Sequence, residues 1–233
     1  MLRKLRSIFP NALTCCNLLS GCVAIFMAFH EQELIGGLSG AAWAMIAMGA
    51  ATVFDFMDGA SARALKAYSP IGADLDSLSD MVSFGVAPAM LILNAMWAYT
   101  LHPWLCWVAL MIPVCGALRL AKFNIDTEQA TYFRGLPIPA NAIFWIGMYG
   151  WIQKYGYPGT AVMVILIVLI SLSMVAKFKL FSLKFKNFDF HENFIRYVII
   201  VAAAIFVILY GLPGLAWTIV LYILLSLLRQ HRI

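Results

Sequence analysis

Four aspartates have the spacing that could do chemistry in this sequence. Asp55 and Asp58 are three residues apart, Asp76 and Asp80 are four apart, and fewer than twenty residues separate the pairs. Residues three or four apart share a face of a helix, so all four carboxylates can converge on one spot. Asp74 does not share the face of both Asp76 and Asp80. We interpret it as a helix N-terminal acid that the helix dipole stabilises.

Four converging carboxylates repel one another, and some of them would take up protons unless a cation compensates their charge. A bound divalent cation removes this conflict, and an all-oxygen ligand set suits Mg²⁺, Mn²⁺ or Ca²⁺ rather than zinc. No Cys or His stands at ligand spacing nearby. The spacing therefore predicts a metal site, although an isolated aspartate within a membrane could also be a proton or ion relay.

The residues between the two pairs indicate what such a metal would serve. Gly59, Ser61 and Ala62 leave a helix face of small side chains that a ligand can approach closely. Arg63 follows, and a guanidinium suits a phosphate or a carboxylate. Together with a metal, these residues favour phosphoryl transfer. The small residues could instead serve helix packing, and Arg63 could be an ordinary cytoplasmic cation.

The elements that position these residues are predicted to be membrane helices. The chain has 233 residues, of which 63% are hydrophobic and 12% charged. A soluble domain carries roughly a quarter charged residues, so this composition indicates an integral membrane protein. The first apolar run lacks a small-residue cleavage site and is expected to stay in the mature protein. The five cysteines form no CxxC pair and are interpreted as packing residues.

We predict an all-α bundle of eight transmembrane helices with both termini cytoplasmic, forming one integral-membrane domain over residues 1–233. A spanning helix needs about 20 apolar residues. The expected spans are at about 11–29, 36–54, 82–100, 104–121, 138–153, 158–176, 196–210 and 212–229.

The basic residues set the expected orientation, because Lys and Arg collect in cytoplasmic loops. Eight spans put fifteen of the sixteen basic residues inside and leave only Lys154 outside. The acidic cluster then faces the cytoplasm, and we expect the protein in a bacterial cytoplasmic membrane. Aromatic and basic residues alternate over 182–190, which is typical of a segment resting on anionic headgroups. Nothing here makes a base-reading module, so no nucleic-acid partner is expected.

Written with its gaps, the acidic stretch is D-x2-D-G-x2-A-R-x8-G-x3-D-x3-D. This resembles the signature of the CDP-alcohol phosphatidyltransferase family at every fixed position and in both gap lengths. The resemblance covers about residues 7–180, the predicted catalytic core of six spans. The two further spans, about 196–229, match in placement and little more. The fixed letters are Asp55, Asp58, Gly59, Ala62, Arg63, Gly72, Asp76 and Asp80.

Four further stretches resemble the family members that use serine as the acceptor alcohol. They are T-x2-N-x3-G from Thr14, S-F-G-V-A-P from Ser83, R-L-A-K-F-N from Arg119 and F-R-G-L-P-I-P from Phe133. Lys122 stands in the third stretch where Arg is commoner. Related enzymes that use glycerol 3-phosphate or inositol phosphate would share the Asp motif, and archaeal-type lipid tails are not excluded.

The resemblance implies that the phosphatidyl group of CDP-diacylglycerol is transferred to the hydroxyl of L-serine, with release of CMP. Asp55, Asp58, Asp76 and Asp80 would hold one or two Mg²⁺ or Mn²⁺ ions, and Asp80 would also be the general base. The family also implies a homodimer. The residues expected to bind the CDP-lipid are Thr14, Asn17, Asp58, Gly59, Ala62, Arg63 and Gly72.

Serine must be held by its charged groups, and basic residues near the site could do this. We interpret Arg119, Lys122, Asn124 and Arg134 as serine-binding, with Arg119 and Arg134 on the serine carboxylate. These cations could instead be positive-inside residues that touch headgroups. From a different class, a divalent-cation transporter would need polar or acidic residues deep in several spans, whereas these acids sit at one face.

Overall fold

The computed structural model describes residues 2–67, 69–125, 132–181 and 189–229, and these ranges are almost entirely helical. Two segments have other helical geometries: Met81–Val86 forms one turn of π-helix, and Pro103–Leu110 forms a 3-10 helix. The α-helices are α1 (Leu2–Phe29), α2 (Gly40–Leu65), α3 (Pro70–Asp80), α4 (Ala87–Tyr99), α5 (Met111–Ile125), α6 (Ile138–Tyr155), α7 (Thr160–Val175), α8 (Phe190–Tyr210) and α9 (Pro213–Arg229).

The apolar lengths of these helices agree with an all-helical membrane protein. Within the described ranges, five helical segments are long and apolar enough to cross a membrane, and two apolar helices are shorter. The count of eight spans and the direction of the termini stay predictions. The long segments are Ile8–Phe29, Gly40–Leu65, Pro70–Tyr99, Pro103–Ile125 and Asn193–Tyr210, and the shorter ones are Thr160–Val175 and Pro213–Leu228.

The second helix differs from the expected 36–54, because it begins later and ends later. A tight hairpin through Gly36 and Gly37, whose φ angles are 60° and 88°, occupies the predicted start. Ser39 then caps α2 by accepting a hydrogen bond from the Ala42 amide at 3.2 Å. The helix runs without a break to Leu65. The first aspartate pair therefore lies inside a continuous helix.

The helical segment that contains the third predicted span begins at Pro70, the first residue of α3, well before the expected residue 82. Ser69 caps α3 by accepting from the Gly72 amide at 3.0 Å, and Pro70 fits the first helical position because its missing N–H needs no partner there. Asp76 and Asp80 are thus both helical. Asp74 is exposed and lies beyond the first turn, where the helix dipole has little effect. Its interpretation as an N-terminal acid was wrong.

Two short antiparallel strand pairs connect the helices. β1 (Leu34–Ile35) pairs with β2 (Leu38–Ser39), and β3 (Tyr132–Arg134) pairs with β4 (Lys179–Phe181). The second pair joins the two longest connections of the chain, before α6 and after α7. Residues 182–188, which hold most of the aromatic and basic alternation, lie outside the described residues. The helix α8 begins at Phe190 rather than at 196.

Helix α6 supports the π turn that directly follows Asp80. Asn141 is fully buried, and its side-chain amide donates to the carbonyl of Phe84 in that turn at 3.2 Å. The Trp145 indole donates to the Asn141 side-chain oxygen at 2.9 Å, which fixes the orientation of the amide. A π turn displaces carbonyls from the regular helical ladder. Asn141 satisfies one of them, so the irregular turn is stable inside the bundle.

Helix α9 packs against α6 at two glycines. A Cβ added to Gly147 would overlap the backbone of Ala216, and one added to Gly150 would lie 2.5 Å from the Leu212 Cβ. The two helices therefore approach as closely as their backbones allow, in the manner of small-residue contacts between membrane helices.

The first prediction follows from this contact. Gly147→Ala should lower the stability of the purified protein by about 1–3 kcal/mol, because the new methyl group must push α9 away from α6. Gly49→Ala on α2 is the matched control, since a Cβ added there would meet no described atom within 4 Å apart from the neighbouring backbone of its own helix. It should be neutral or stabilising by up to about 1 kcal/mol, through helix propensity alone. Melting temperatures in detergent compare the two, and an equal loss in both would contradict the close contact.

Candidate active site

Three of the four predicted metal ligands come together. Asp55 on α2 and Asp76 and Asp80 on α3 each offer a carboxylate oxygen, and these oxygens lie within 4.8 Å of one another. We call these three residues the carboxylate cluster. Oδ1 of Asp76 is buried and has no hydrogen-bond partner among the residues that the structure describes. Because a buried acceptor is costly to leave unpaired, and because carboxylate oxygens suit hard divalent cations, the cluster fits a metal ion.

Asp58 stands apart from the carboxylate cluster. Its side chain is 6% exposed and accepts a hydrogen bond from the Thr14 hydroxyl at 2.6 Å. It lies on the wall of an adjoining cavity, as does Asp76. Thr14 engages one oxygen of Asp58. The role of Asp58 as a fourth metal ligand stays a prediction.

The adjoining cavity has a volume of about 240 Å³ and lies where α1, α2 and α3 meet. We call it the aspartate cavity. Its wall contains six of the seven residues expected to bind the CDP-lipid, which are Thr14, Asp58, Gly59, Ala62, Arg63 and Gly72. The remaining lining residues were not predicted from the sequence, apart from Asp76, which was predicted as a metal ligand. They are Pro10, Asn11, Ala67, Ser69, Ala73 and Asp76.

Two glycines shape the aspartate cavity. Around a Cβ built on Gly59, only the Arg63 guanidinium among the described atoms comes within 4 Å, at 3.4 Å. Gly59 therefore makes room for Arg63 and for a ligand rather than for another helix, which disfavours the helix-packing alternative. A Cβ on Gly72 would lie 3.0 Å from the Ser69 hydroxyl and 3.1 Å from Oδ1 of Asn11. The bare backbone at Gly72 lets these polar groups close one end of the cavity.

Asn17 is the predicted CDP-lipid residue that does not line the cavity. It is fully buried, and its Nδ2 donates to Oδ1 of Asp80 at 3.4 Å. Its own Oδ1 has no partner among the described residues. The structure therefore places Asn17 beside Asp80, the predicted general base, where it can orient that carboxylate. The role of Asn17 in binding the CDP-lipid stays a prediction.

The stretch T-x2-N-x3-G now has a geometric reason. Thr14, Asn17 and Gly21 lie on one face of α1, and each meets a different part of the site. Thr14 bonds to Asp58, Asn17 bonds to Asp80, and Gly21 leaves space for Ser83, whose hydroxyl donates to the Asn17 carbonyl at 2.9 Å. Buried Ser79, which the sequence analysis did not single out, donates to the Thr14 carbonyl at 3.2 Å.

Of the four predicted serine-binding residues, the structure brings only Arg119 to the carboxylate cluster. Arg119 is 8% exposed, lies close enough to Asp80 for their charges to interact, and has its guanidinium 5.7 Å from the Phe123 ring centre. This burial excludes the alternative in which Arg119 contacts headgroups. Lys122 and Arg134 are exposed. Exposed Asn124 donates to the Ser77 hydroxyl at 3.0 Å and so ties α5 to α3.

Two further residues near the site were missed by sequence reasoning. Tyr222 of α9 is 2% exposed and lies near Arg119. A tyrosine in an apolar helix gives no local signal of such a contact. Asn141 did carry a signal, since a polar residue inside an apolar span is costly and tends to have a specific role.

The comparisons with known proteins agree with this site. The family model for CDP-alcohol phosphatidyltransferase matches residues 7–180, which include the carboxylate cluster, the aspartate cavity and Arg119.

Three relatives carry the name CDP-diacylglycerol–serine O-phosphatidyltransferase. The one from Mycobacterium tuberculosis is 34% identical over 178 residues, 68% of this chain and 59% of that protein. The one from Bacillus subtilis is 48% identical over 86 residues, covering 36% and 48% of the two chains. The one from Methanocaldococcus jannaschii is 41% identical over 128 residues, covering 54% and 58%. The matches thus span about half to three fifths of each relative.

The family model covers three quarters of the chain, and three of the four aspartates of the motif come together in the structure. The chain belongs to the CDP-alcohol phosphatidyltransferase family.

Proposed function

We propose that this protein transfers the phosphatidyl group of CDP-diacylglycerol to the hydroxyl of L-serine and releases CMP. The observation that carries the proposal is the position of Asp80, which belongs to the carboxylate cluster and also lies close to a buried cation, Arg119. The three relatives named for this reaction support serine as the acceptor.

The aspartate cavity is the proposed site of the CDP-lipid head. Arg63 lies at its wall beside the bare backbone of Gly59, where a guanidinium can bind the phosphate oxygens. Asn11 and Ser69 at the Gly72 end provide hydrogen-bonding groups for the nucleotide. The acyl chains would stay in lipid, outside this polar cavity.

The carboxylate cluster would hold Mg²⁺ or Mn²⁺, as one or two ions, with Asp58 beside it as a further ligand. When bound, such an ion neutralises negative charge on the pyrophosphate and stabilises the departing CMP. Asp55, Asp76 and Asp80 already lie close together, so the protein need not rearrange to bring three of the four ligands into place.

Asp80 would accept the proton of the serine hydroxyl, which is a poor nucleophile until that proton is removed. Asn17 holds one oxygen of Asp80 at 3.4 Å, so the other can face the acceptor. Arg119 would bind the serine carboxylate, since a guanidinium can make two parallel hydrogen bonds to it. Two neighbouring side chains would thus contact serine, Asp80 at its hydroxyl and Arg119 at its carboxylate.

The membrane placement follows from the solubility of the substrates. CDP and serine are charged and water-soluble, so we propose that the site opens to the cytoplasm. We also propose that the chain crosses a bacterial cytoplasmic membrane in eight spans, with both termini inside. A homodimer remains a proposal that rests on the family alone.

The second prediction concerns the reaction. Purified protein with CDP-diacylglycerol and Mn²⁺ or Mg²⁺ should release CMP when serine is added. Asp80→Asn should lower the rate at least about 100-fold, because general-base contributions are typically 10²–10⁴. Glycerol 3-phosphate and inositol phosphate are offered separately as competing acceptors. Release with one of these, and not with serine, would overturn the acceptor. Metal-independent release would overturn the mechanism.

The third prediction concerns the metal. Mn²⁺ should raise the melting temperature of the wild-type protein, and Asp76→Asn should largely abolish this rise, because it removes a half-buried carboxylate of the cluster. Asp74→Asn is the matched control, since it changes an exposed carboxylate two residues away on the same helix. Loss of the Mn²⁺ effect in both variants would indicate non-specific charge rather than a site.

The fourth prediction concerns Arg119. Arg119→Leu should raise the apparent KM for serine by at least about tenfold, as expected for a lost charge-assisted hydrogen bond. The KM for CDP-diacylglycerol should change much less. Lys122→Leu, at an exposed position one turn further along α5, should have a smaller effect on serine. Equal changes in both KM values for Arg119→Leu would contradict the assignment.

A further inference from the structure

Helix α9 lies beyond residues 7–180, yet one of its faces is buried in the bundle. The buried residues of this face are three or four positions apart, as on one side of a helix. Their side chains are only 2–7% exposed. This face packs closely against α6, because Gly147 has no side chain to keep Ala216 away. The buried residues of this face are Ala216, Ile219, Tyr222 and Ser226.

Tyr222 is the member of this face that reaches the active site. It lies six residues beyond Ala216, about 9 Å further along the helix at 1.5 Å per residue. There its phenol group lies within electrostatic reach of the Arg119 guanidinium. Helix α9 also packs against β4, the strand paired with β3. Helix α9, which lies outside the family-matched residues, therefore brings a buried phenol group close to Arg119.

The guanidinium of Arg119 needs such a partner. Arg119 is more than nine-tenths buried, and its Nε has no hydrogen-bond partner within the described part of the chain. A guanidinium has five N–H donors in a rigid fork, and leaving buried donors unpaired is costly. Asp80 lies near the group, and so does Tyr222, whose hydroxyl oxygen can accept an N–H. The remaining donors are then free for a ligand.

We propose that Tyr222 is a positioning residue of the acceptor site. Its hydroxyl holds the Arg119 guanidinium in the orientation that presents two parallel N–H groups to the carboxylate of the acceptor, and its ring walls off the pocket on the α9 side. The inference rests on the proposed function, since it assigns Arg119 to an acceptor that carries a carboxylate. It also gives the C-terminal helix a role in choosing the acceptor.

The geometry explains why a phenol suits this position. Bidentate recognition of a carboxylate depends on the plane of the guanidinium, and a fixed side-chain oxygen can set that plane. The aromatic ring contributes rigid area with few rotatable bonds. A carboxylate in place of the phenol would pair with Arg119 so strongly that it would compete with the acceptor. A neutral hydroxyl orients the cation and leaves its charge available.

The fifth prediction tests this role with Tyr222→Phe, which keeps the ring and removes the hydroxyl. The apparent KM for serine should rise about tenfold, as for loss of one hydrogen bond to a charged group. The KM for CDP-diacylglycerol and the Mn²⁺-dependent rise in melting temperature should change little, because the carboxylate cluster and the aspartate cavity are untouched. Tyr210→Phe is the matched control, since the same hydroxyl is removed from a half-exposed tyrosine at the end of α8.

A double variant tests whether Tyr222 acts through Arg119. If it does, adding Tyr222→Phe to Arg119→Leu should raise the serine KM no further than Arg119→Leu alone, because the partner is already gone. Independent, additive effects would overturn the proposal, and so would a serine KM in Tyr222→Phe equal to that of the wild type. This comparison remains valid if the single variant is somewhat less stable.

Measurements on the wild-type protein test the proposed function independently of the role of Tyr222. CMP release with serine in the wild type supports that function whatever Tyr222→Phe does. If the wild type uses another acceptor instead, the serine assignment fails, and the same variants are measured with the acceptor that it does use. No change in the KM for that acceptor in Tyr222→Phe would overturn the positioning role as well.

Discussion

The structure depends on holding three carboxylates within 4.8 Å of one another in a largely apolar bundle. Like charges at this distance repel strongly where water is scarce, so the surrounding residues must fix them in place until a cation compensates the charge. Helix α1 contributes neutral donors, because Asn17 engages Asp80 of the cluster and Thr14 engages the adjoining Asp58. A basic residue in either place would neutralise a carboxylate permanently and compete with the metal. Neutral donors orient these groups and leave their charge available.

The π turn after Asp80 serves the same constraint. One extra residue in a turn changes the phase of the helix, so the segment after Asp80 faces different neighbours from those a regular helix would give it. Ser83 then reaches the Asn17 carbonyl at 2.9 Å, and the Phe84 carbonyl reaches Asn141 at 3.2 Å. Asp80 is thereby tied to α1 on one side and to α6 on the other. The π turn therefore lets one continuous helical segment do two things. Its first part, α3, supplies Asp76 and Asp80, and its second part, α4, packs into the bundle.

Local periodicity explains which parts of this arrangement the sequence predicts. The spacing of Asp76 and Asp80 predicted that they share a face, because helical geometry brings residues four apart together. The same reasoning grouped Asp58 with Asp55, but the packing of α1 against α2 holds Asp58 on Thr14, apart from the cluster. The role of Asn17 and the exposure of Lys122 and Arg134 depend on how separate helices pack, which no local pattern encodes. The start of α3 at Pro70 was predictable in principle from the Ser69 cap. Hydropathy set the expected start at residue 82 instead, because the first turns of that helix carry the polar site residues.

The residues of the candidate site are unevenly distributed along the chain. The carboxylate cluster and the lining of the aspartate cavity all lie within residues 7–180, the part that matches the family model. In the reaction that we propose, those residues would bind and activate the CDP-lipid, while the acceptor would be bound at Arg119, which lies close to Tyr222 of α9, a helix outside that part. A change in α9 could therefore alter the choice of acceptor without disturbing the proposed metal ligands, since no aspartate of the cluster lies on it.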